Sequence, residues 1–262
     1  MASGVPATLR EIIRFRDLVT ALVVRELKMR YRGSVLGFVW SFLNPLLLML
    51  VYALVFSFFS RHQIENYTVF VLTGLLPWLW FSLGLSHSVG SIVSGGPLIK
   101  KIVFPVEILP LVAVLSNLAN YLLSLPILLL FYLVGGVTLT AWALFLPVLV
   151  VVQFVFMTGL CLILASINVY LKDVEQVLGN VLTLTFFLTP ILYPASLIPD
   201  RFRVLLYVNP LAPLFEAYRN ILFEGRAPAW EGLAGLGLLS LVVLAAGFFT
   251  LNRLRDAFAE EV

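Results

Sequence analysis

The three longest stretches of this sequence without Asp, Glu, Lys or Arg are residues 33–60, 66–99 and 108–171. They are 28, 34 and 64 residues long. An apolar helix needs about 20 residues to cross the hydrocarbon of a bilayer, so the first two runs each hold one crossing and the third holds two. Gly135-Gly136 is the natural turn inside the long run. The rest of the chain fits the same solvent. Apolar residues make up 61% and charged residues 12%, and mean hydropathy is +1.04. A soluble domain has roughly half apolar and a quarter charged residues.

These patterns predict an all-α integral membrane protein with six transmembrane helices, at 36–59, 68–89, 108–134, 142–167, 177–192 and 233–251. Asn44-Pro45 should kink the first span, because proline removes one backbone hydrogen bond. Ahead of that span, Arg25, Lys28 and Arg32 fall on one side of a helical wheel. Val19, Val23, Leu27 and Tyr31 form an i, i+4 ladder opposite. The expectation is an N-terminal amphipathic interfacial helix with its ladder in acyl chains and its cations at headgroups. Residues 1–33 thus form a cytoplasmic tail with this helix, and 34–262 the six-span domain. Residues 1–32 show no apolar core followed by a small-residue cleavage site, so insertion is expected to use the first span.

Two connecting segments stand out. Residues 91–107 read SIVSGGPLIKKIVFPVE, too rich in Gly, Pro and charge for lipid, and predict a loop with one short helix over 98–104. Residues 194–231 are cut by Pro199, Pro210 and Pro213 into pieces too short to cross yet strongly apolar. There Leu214, Phe215, Tyr218, Ile221 and Leu222 form one stripe, with Glu216, Arg219 and Asn220 off it. Short re-entrant helices before the last span are expected. An even number of spans puts both termini on one side. With the termini inside, 12 of the 17 Lys and Arg residues face inward and 5 outward, which favours a multi-pass membrane protein with both termini in the cytoplasm.

Catalytic chemistry has little to work with. His62 and His87 have no Cys or carboxylate at ligand spacing, so no metal site is expected; His87, between Ser86 and Ser88, reads as a polar helix-end residue. No G-x-S-x-G or H-E-x-x-H motif occurs. The span interiors carry only neutral polar groups, Asn44, Asn117, Asn120, Gln153 and Asn180, each suited to hydrogen bonds between helices. No Gly-Lys dipeptide exists, hence no Walker A motif. A transporter built this way draws its energy from another subunit. The loop 91–107 offers apolar residues beside Lys100-Lys101, a shape suited to a groove on a soluble partner.

The run RELKMRYRGSVLGFVWSFLNPLLLMLVYALVF resembles the opening of ABC-2 type exporter membrane subunits, in the polysaccharide and polyol-phosphate branch. PLIKKIVFPVEILPL resembles that family's loop after the second span. Leu171-Lys172-Asp173-Val174 and NPLAPLFEAYRNILFEG resemble its fourth–fifth loop and its segment before the last span. The resemblance covers nearly the whole chain in order. It implies a homodimer of six-span permease subunits, not itself an enzyme, with two copies of a separate ATP-binding subunit that bind ATP and Mg. It implies ATPase coupling through Arg25, Lys28, Leu98, Lys100, Lys101, Val103, Phe104, Lys172 and Asp173. A channel and outer gate would involve Asn44, Pro45, Tyr52, Phe56, Phe58, Phe59, Tyr193, Phe215, Tyr218 and Arg219. The implied cargo is a lipid-linked glycan or polyol-phosphate polymer such as O-antigen, capsule or teichoic acid. Alternatives are export of a small amphiphile such as a drug or lipid, or a non-catalytic membrane scaffold.

Overall fold

In a computed structural model the described residues are 13–30, 65–101 and 104–255, with 36, 39, 40, 43, 46–51, 54 and 258 besides. Among them the regular structure is entirely helical. The elements are α1 (Arg16–Arg30), α2 (Tyr67–Val89), α3 (Ser91–Ser94), α4 (Gly96–Ile99) and α5 (Ile108–Val134). They continue as α6 (Leu146–Asn168), α7 (Asp173–Leu188), α8 (Val204–Val208), α9 (Ala212–Leu222) and α10 (Trp230–Leu254). A 3₁₀ segment, Ala141–Phe145, leads into α6.

Among the described residues, four helices are long and apolar enough to cross a membrane: α2, α5, α6 with its 3₁₀ lead, and α10. Their boundaries follow the sequence closely, and α5 spans the expected residues from end to end. The turn after it falls on Gly135 and Gly136. The fifth expected span is displaced. It begins at Asp173 rather than 177 and stops at Leu188, leaving 16 residues. At 1.5 Å per residue that is about 24 Å, short of the roughly 30 Å hydrocarbon core. Asp173 and Glu175 suit the first turn, where the helix dipole favours anions. Pro190 forces Thr189 into an extended conformation and ends the helix. Most of the expected first span, including its kink at Asn44-Pro45, lies outside the described residues.

Helix α2 is the centre of the bundle: 78% of its apolar window is buried, against 28% for α10. It carries Trp78, Trp80 and Phe81 into contact with α5, α6, α7 and α9. Trp80 stacks on Tyr121 at 5.3 Å, and Trp78 meets Phe186 and Phe215 at 5.5 and 6.1 Å. The tightest crossing is α6 on α10. A Cβ at Gly159 would lie 2.6 Å from the Leu244 nitrogen, and one at Gly247 2.6 Å from the Gly159 carbonyl. Only glycine lets these backbones touch, the small-residue packing that replaces hydrophobic force inside lipid. The polar residues inside the spans work as expected in two cases. Gln153 Nε2 donates to the Pro77 carbonyl at 2.8 Å, tying α6 to α2. Asn117 on α5 reaches His87 on α2. Asn180 instead points out of the bundle.

Candidate functional site

Functional features gather at the two ends of the bundle. At one end α1 lies against the start of α5. Phe15, Leu18, Val19, Leu22 and Val23 pack with Phe104, Ile108, Leu109 and Val112. This corrects one expectation. Val19 and Val23 are covered by protein rather than acyl chains, because the first turns of α5 offer a matching apolar ridge. Leu27 is half-buried, and Arg25 and Lys28 stay exposed on the outer side.

The segment after α2 is folded tightly against the same place. Instead of one helix over 98–104, two single turns form, α3 and α4, ending at Ile99. Pro97 suits the first turn of α4, whereas Pro105 disfavours helix at Phe104. Phe104 therefore turns inward and is 9% exposed. It anchors the segment to α1, and its ring is not displayed for docking. Gly95 lets this turn approach α5, since a Cβ there would sit 2.5 Å from Leu109 Cδ1. Leu98 is half-buried, and Lys100 and Lys101 face outward. Lys172 and Asp173 are exposed just ahead of and at the start of α7. Val103 lies outside the described residues.

Between these pieces is a cavity of about 430 Å³ whose lining includes Leu22, Arg25, Glu26, His87, Ser91 and Lys101. Beside it Arg30 turns inward. Its Nη1 donates to Asn117 Oδ1 at 3.4 Å, and its Nη2 meets His87 Nδ1 at 3.3 Å. Glu26 Oε1 stands 3.9 Å from Nη2. Asn117 Nδ2 lies 3.1 Å from the same His87 Nδ1 and donates to the Ala113 carbonyl at 2.8 Å. One arginine thus joins α1 to both α2 and α5.

At the opposite end α9 is almost enclosed. Leu214, Phe215, Tyr218 and Ile221 are fully buried, as the stripe predicts. Of the three residues expected off the stripe, only Glu216 is exposed; Arg219 and Asn220 are 4% and 3% exposed. Arg219 is covered because elements far away in sequence close over it. Its Nη2 donates to the Ile191 carbonyl at 2.6 Å and its Nη1 to the Tyr193 carbonyl at 3.2 Å. Its guanidinium lies 3.9 Å from the Phe70 ring centre, a cation–π contact. Tyr67 Oη donates to the intervening Leu192 carbonyl at 2.5 Å. Three successive carbonyls of the 189–194 linker, which has no helix to satisfy them, are thereby held by side chains from α2 and α9. Tyr193 closes the linker by donating to the Phe187 carbonyl at 2.6 Å. Burial raises the Tyr193 phenol above its ordinary value, against the Arg219 charge, which lowers it.

Phe215 and Tyr218, expected at a gate, pack inside the subunit. Asn44, Pro45, Tyr52, Phe56, Phe58 and Phe59 lie outside the described residues. The partners of Arg219 were not visible in the sequence. The one local signal was a cation within an apolar stretch, Tyr218-Arg219-Asn220-Ile221-Leu222. Nothing local marked His87 as the contact of Arg30. Among the described residues no group of three or more His, Cys, Asp or Glu is placed to hold a metal.

Comparison with known proteins places this architecture. The family model described as ABC-2 type transporter matches residues 17–223. An O-antigen export system permease protein of Myxococcus xanthus is 42% identical over 97% of this chain and 98% of its own. A protein of the same description from Klebsiella pneumoniae is 34% identical over 93% of this chain and 94% of its own. The polysialic acid transport protein KpsM of Escherichia coli is 26% identical over 91% and 93%. The matches run from α1 through α9 and beyond, so both ends described above fall within them. The chain belongs to the ABC-2 type transporter family.

Proposed function

We propose that this chain is the membrane-spanning permease subunit of an ATP-driven exporter of a lipid-linked polysaccharide, working in the cytoplasmic membrane as a homodimer. The observation that carries this is the near full-length similarity to an O-antigen export permease at 42% identity. ATP and Mg are bound by a separate subunit present in two copies, since the sequence has no Walker A motif. The end bearing α1 faces the cytoplasm, in keeping with the bias of Lys and Arg toward that side. There Arg25, Lys28, Lys100 and Lys101 face outward from one packed unit, with Leu98, Lys172 and Asp173 nearby. This unit receives the stroke of the ATPase and passes it to the spans as a rigid-body shift.

Six spans remain the expected number. Arg30 meets His87 near the end of α2, whereas Tyr67 begins α2 some 20 residues earlier. The chain between α1 and α2 therefore joins opposite ends of the bundle, about 30 Å apart. Helix α7 supports the homodimer, because it leaves Val177, Val181, Leu184 and Phe187 uncovered along one side. The channel lies between the two copies, and the short helices α8 and α9 form its outer gate. Asn44, Pro45, Tyr52, Phe56, Phe58 and Phe59 are the first-span candidates for its wall.

The test is to co-express the chain with its ATP-binding subunit and purify the complex in nanodiscs. ATP hydrolysis should rise on addition of lipid-linked glycan. Equal hydrolysis with and without glycan, or stimulation by a small amphiphile alone, would replace this reading.

A further inference from the structure

The contacts around His87 define a protonation state as well as a position. An arginine side chain has donors and no acceptor. The Asn117 amide is oriented by two other bonds: its Nδ2 donates to the Ala113 carbonyl, and its Oδ1 accepts from Arg30. Both groups that reach His87 Nδ1, Arg30 Nη2 at 3.3 Å and Asn117 Nδ2 at 3.1 Å, therefore present hydrogens to it. The nitrogen between them must carry a lone pair. That requires a neutral imidazole with its hydrogen on Nε2. A proton on Nδ1 would set N–H against N–H twice and place a second positive charge beside the guanidinium.

We propose that neutral His87 is a positioning residue for Arg30, and that this pair, with Asn117, forms a proton-releasable joint between α1 and the α2–α5 pair. The joint rests on the reading of α1 as part of the motor-facing unit, and it adds a condition on that unit. Force applied to α1 reaches α5 through apolar packing at Phe15–Val23, and α2 together with α5 through this polar contact one to two turns further on. With the polar contact formed, α1 is held at both ends. With His87 protonated, only the apolar end remains.

Protons can reach the site, because His87 is exposed and lines the cavity. Charged groups face it from each neighbouring element. Glu26 pairs with Arg30 from α1, and Arg25 lines the cavity from the same helix. Lys101 lines it from the segment after α4, and Glu175 of α7 stands beside Gly90, three residues on. Asn117 is the neutral contributor from α5. Arg25, Arg30 and Lys101 oppose a second cation, and Glu26 and Glu175 favour one. Neighbouring charge thus pulls both ways, and the two donors aimed at Nδ1 decide for the neutral ring.

The sequence contains two histidines, so replacing His62 with Gln leaves one imidazole to observe. With ¹⁵N-labelled histidine in the nanodisc-embedded chain at pH 7.5, the ring should show the Nε2–H tautomer. The Arg30→Gln variant should lose that preference. An imidazolium or an Nδ1–H tautomer at that pH overturns the proposal whatever the chain exports. The functional arm compares the wild type, His87→Gln and His87→Leu in complex with the ATPase subunit. The amide oxygen of Gln can accept from Arg30 and does not titrate. Glycan-stimulated hydrolysis by the wild type should fall severalfold between pH 7.5 and 5.5 relative to His87→Gln, whose stimulation should stay level after correction for the basal rate. His87→Leu should be poorly stimulated at both values, with basal hydrolysis retained. Identical pH profiles for the wild type and His87→Gln contradict the joint. Absence of stimulation in all three, with the Nε2–H tautomer observed, counts against the export reading and leaves the bonding at His87 standing.

Discussion

The two ends of the bundle are each tied by one arginine, and the ties differ in kind. Arg219 is 4% exposed and is held by two backbone carbonyls and the Phe70 ring. Arg30 is partly exposed, with its side chain at 23%, and is held by side chains: His87, Asn117 and Glu26. Carbonyls and rings do not titrate and move only with the backbone. Imidazole, amide and carboxylate can turn away, change charge or be screened. The α9 end is therefore built as a clasp that can part only when the linker moves. The α1 end is built as a joint that can slacken while the helices stay in place.

The largest effect should come from Arg219→Met. It keeps much of the bulk but abandons the Ile191 and Tyr193 carbonyls, and each buried unsatisfied group costs about 1–3 kcal/mol. Thermal unfolding in nanodiscs should show a loss of roughly 2–5 kcal/mol. A midpoint unchanged from the wild type would show that the clasp carries no load. Next is Phe104→Ala, which empties the contact between the 91–107 segment and α1 for about 3 kcal/mol. Protease cleavage near Lys100 and Lys101 should speed up in this variant, and unaltered digestion would deny the anchoring role of Phe104. Tyr67→Phe removes one donor from the Leu192 carbonyl and should cost about 1 kcal/mol by the same melt. The smallest effect on stability is expected for Arg30→Gln, under about 1 kcal/mol, as for other partly exposed ion pairs. Salt sharpens the contrast. Between 0.1 and 1 M the screening length falls from about 10 to 3 Å. The stability cost of Arg30→Gln that comes from its Glu26 pair should therefore shrink at high salt, and that of Arg219→Met should not.

How much of this was legible in the sequence depends on whether a feature is local. The boundaries of α5 came out to the residue because a charge-free run, a Pro-Val-Glu entry and a Gly-Gly exit are all written in adjacent positions. The apolar stripe of α9 was legible for the same reason. The burial of Arg219 was not legible, because helical periodicity can say which face is polar but not which distant groups will cover it. Phe70 and the 189–194 linker are about 150 and 25 residues away. The α1 ladder failed in the same manner: Val19 and Val23 were read as lipid-facing, yet Phe104 and Ile108 provide the apolar surface. The short α7 shows a conflict of signals, since hydropathy continued past Leu188 while Pro190 stopped the helix.

On the proposed export reading, the α1 end moves as one packed unit while the Arg219 clasp at the opposite end parts. Paired spin labels test it in the complex with the ATPase subunit, taken through apo, ATP-bound and ADP-bound states. One pair, at Lys28→Cys and Lys100→Cys, reports on the unit; the other, at Leu197→Cys and Trp230→Cys, reports on the outer end. The expected result is a Lys28–Lys100 distance that stays constant within error while the Leu197–Trp230 distance widens in one nucleotide state. A Lys28–Lys100 distance that changes while the outer pair holds still would contradict it.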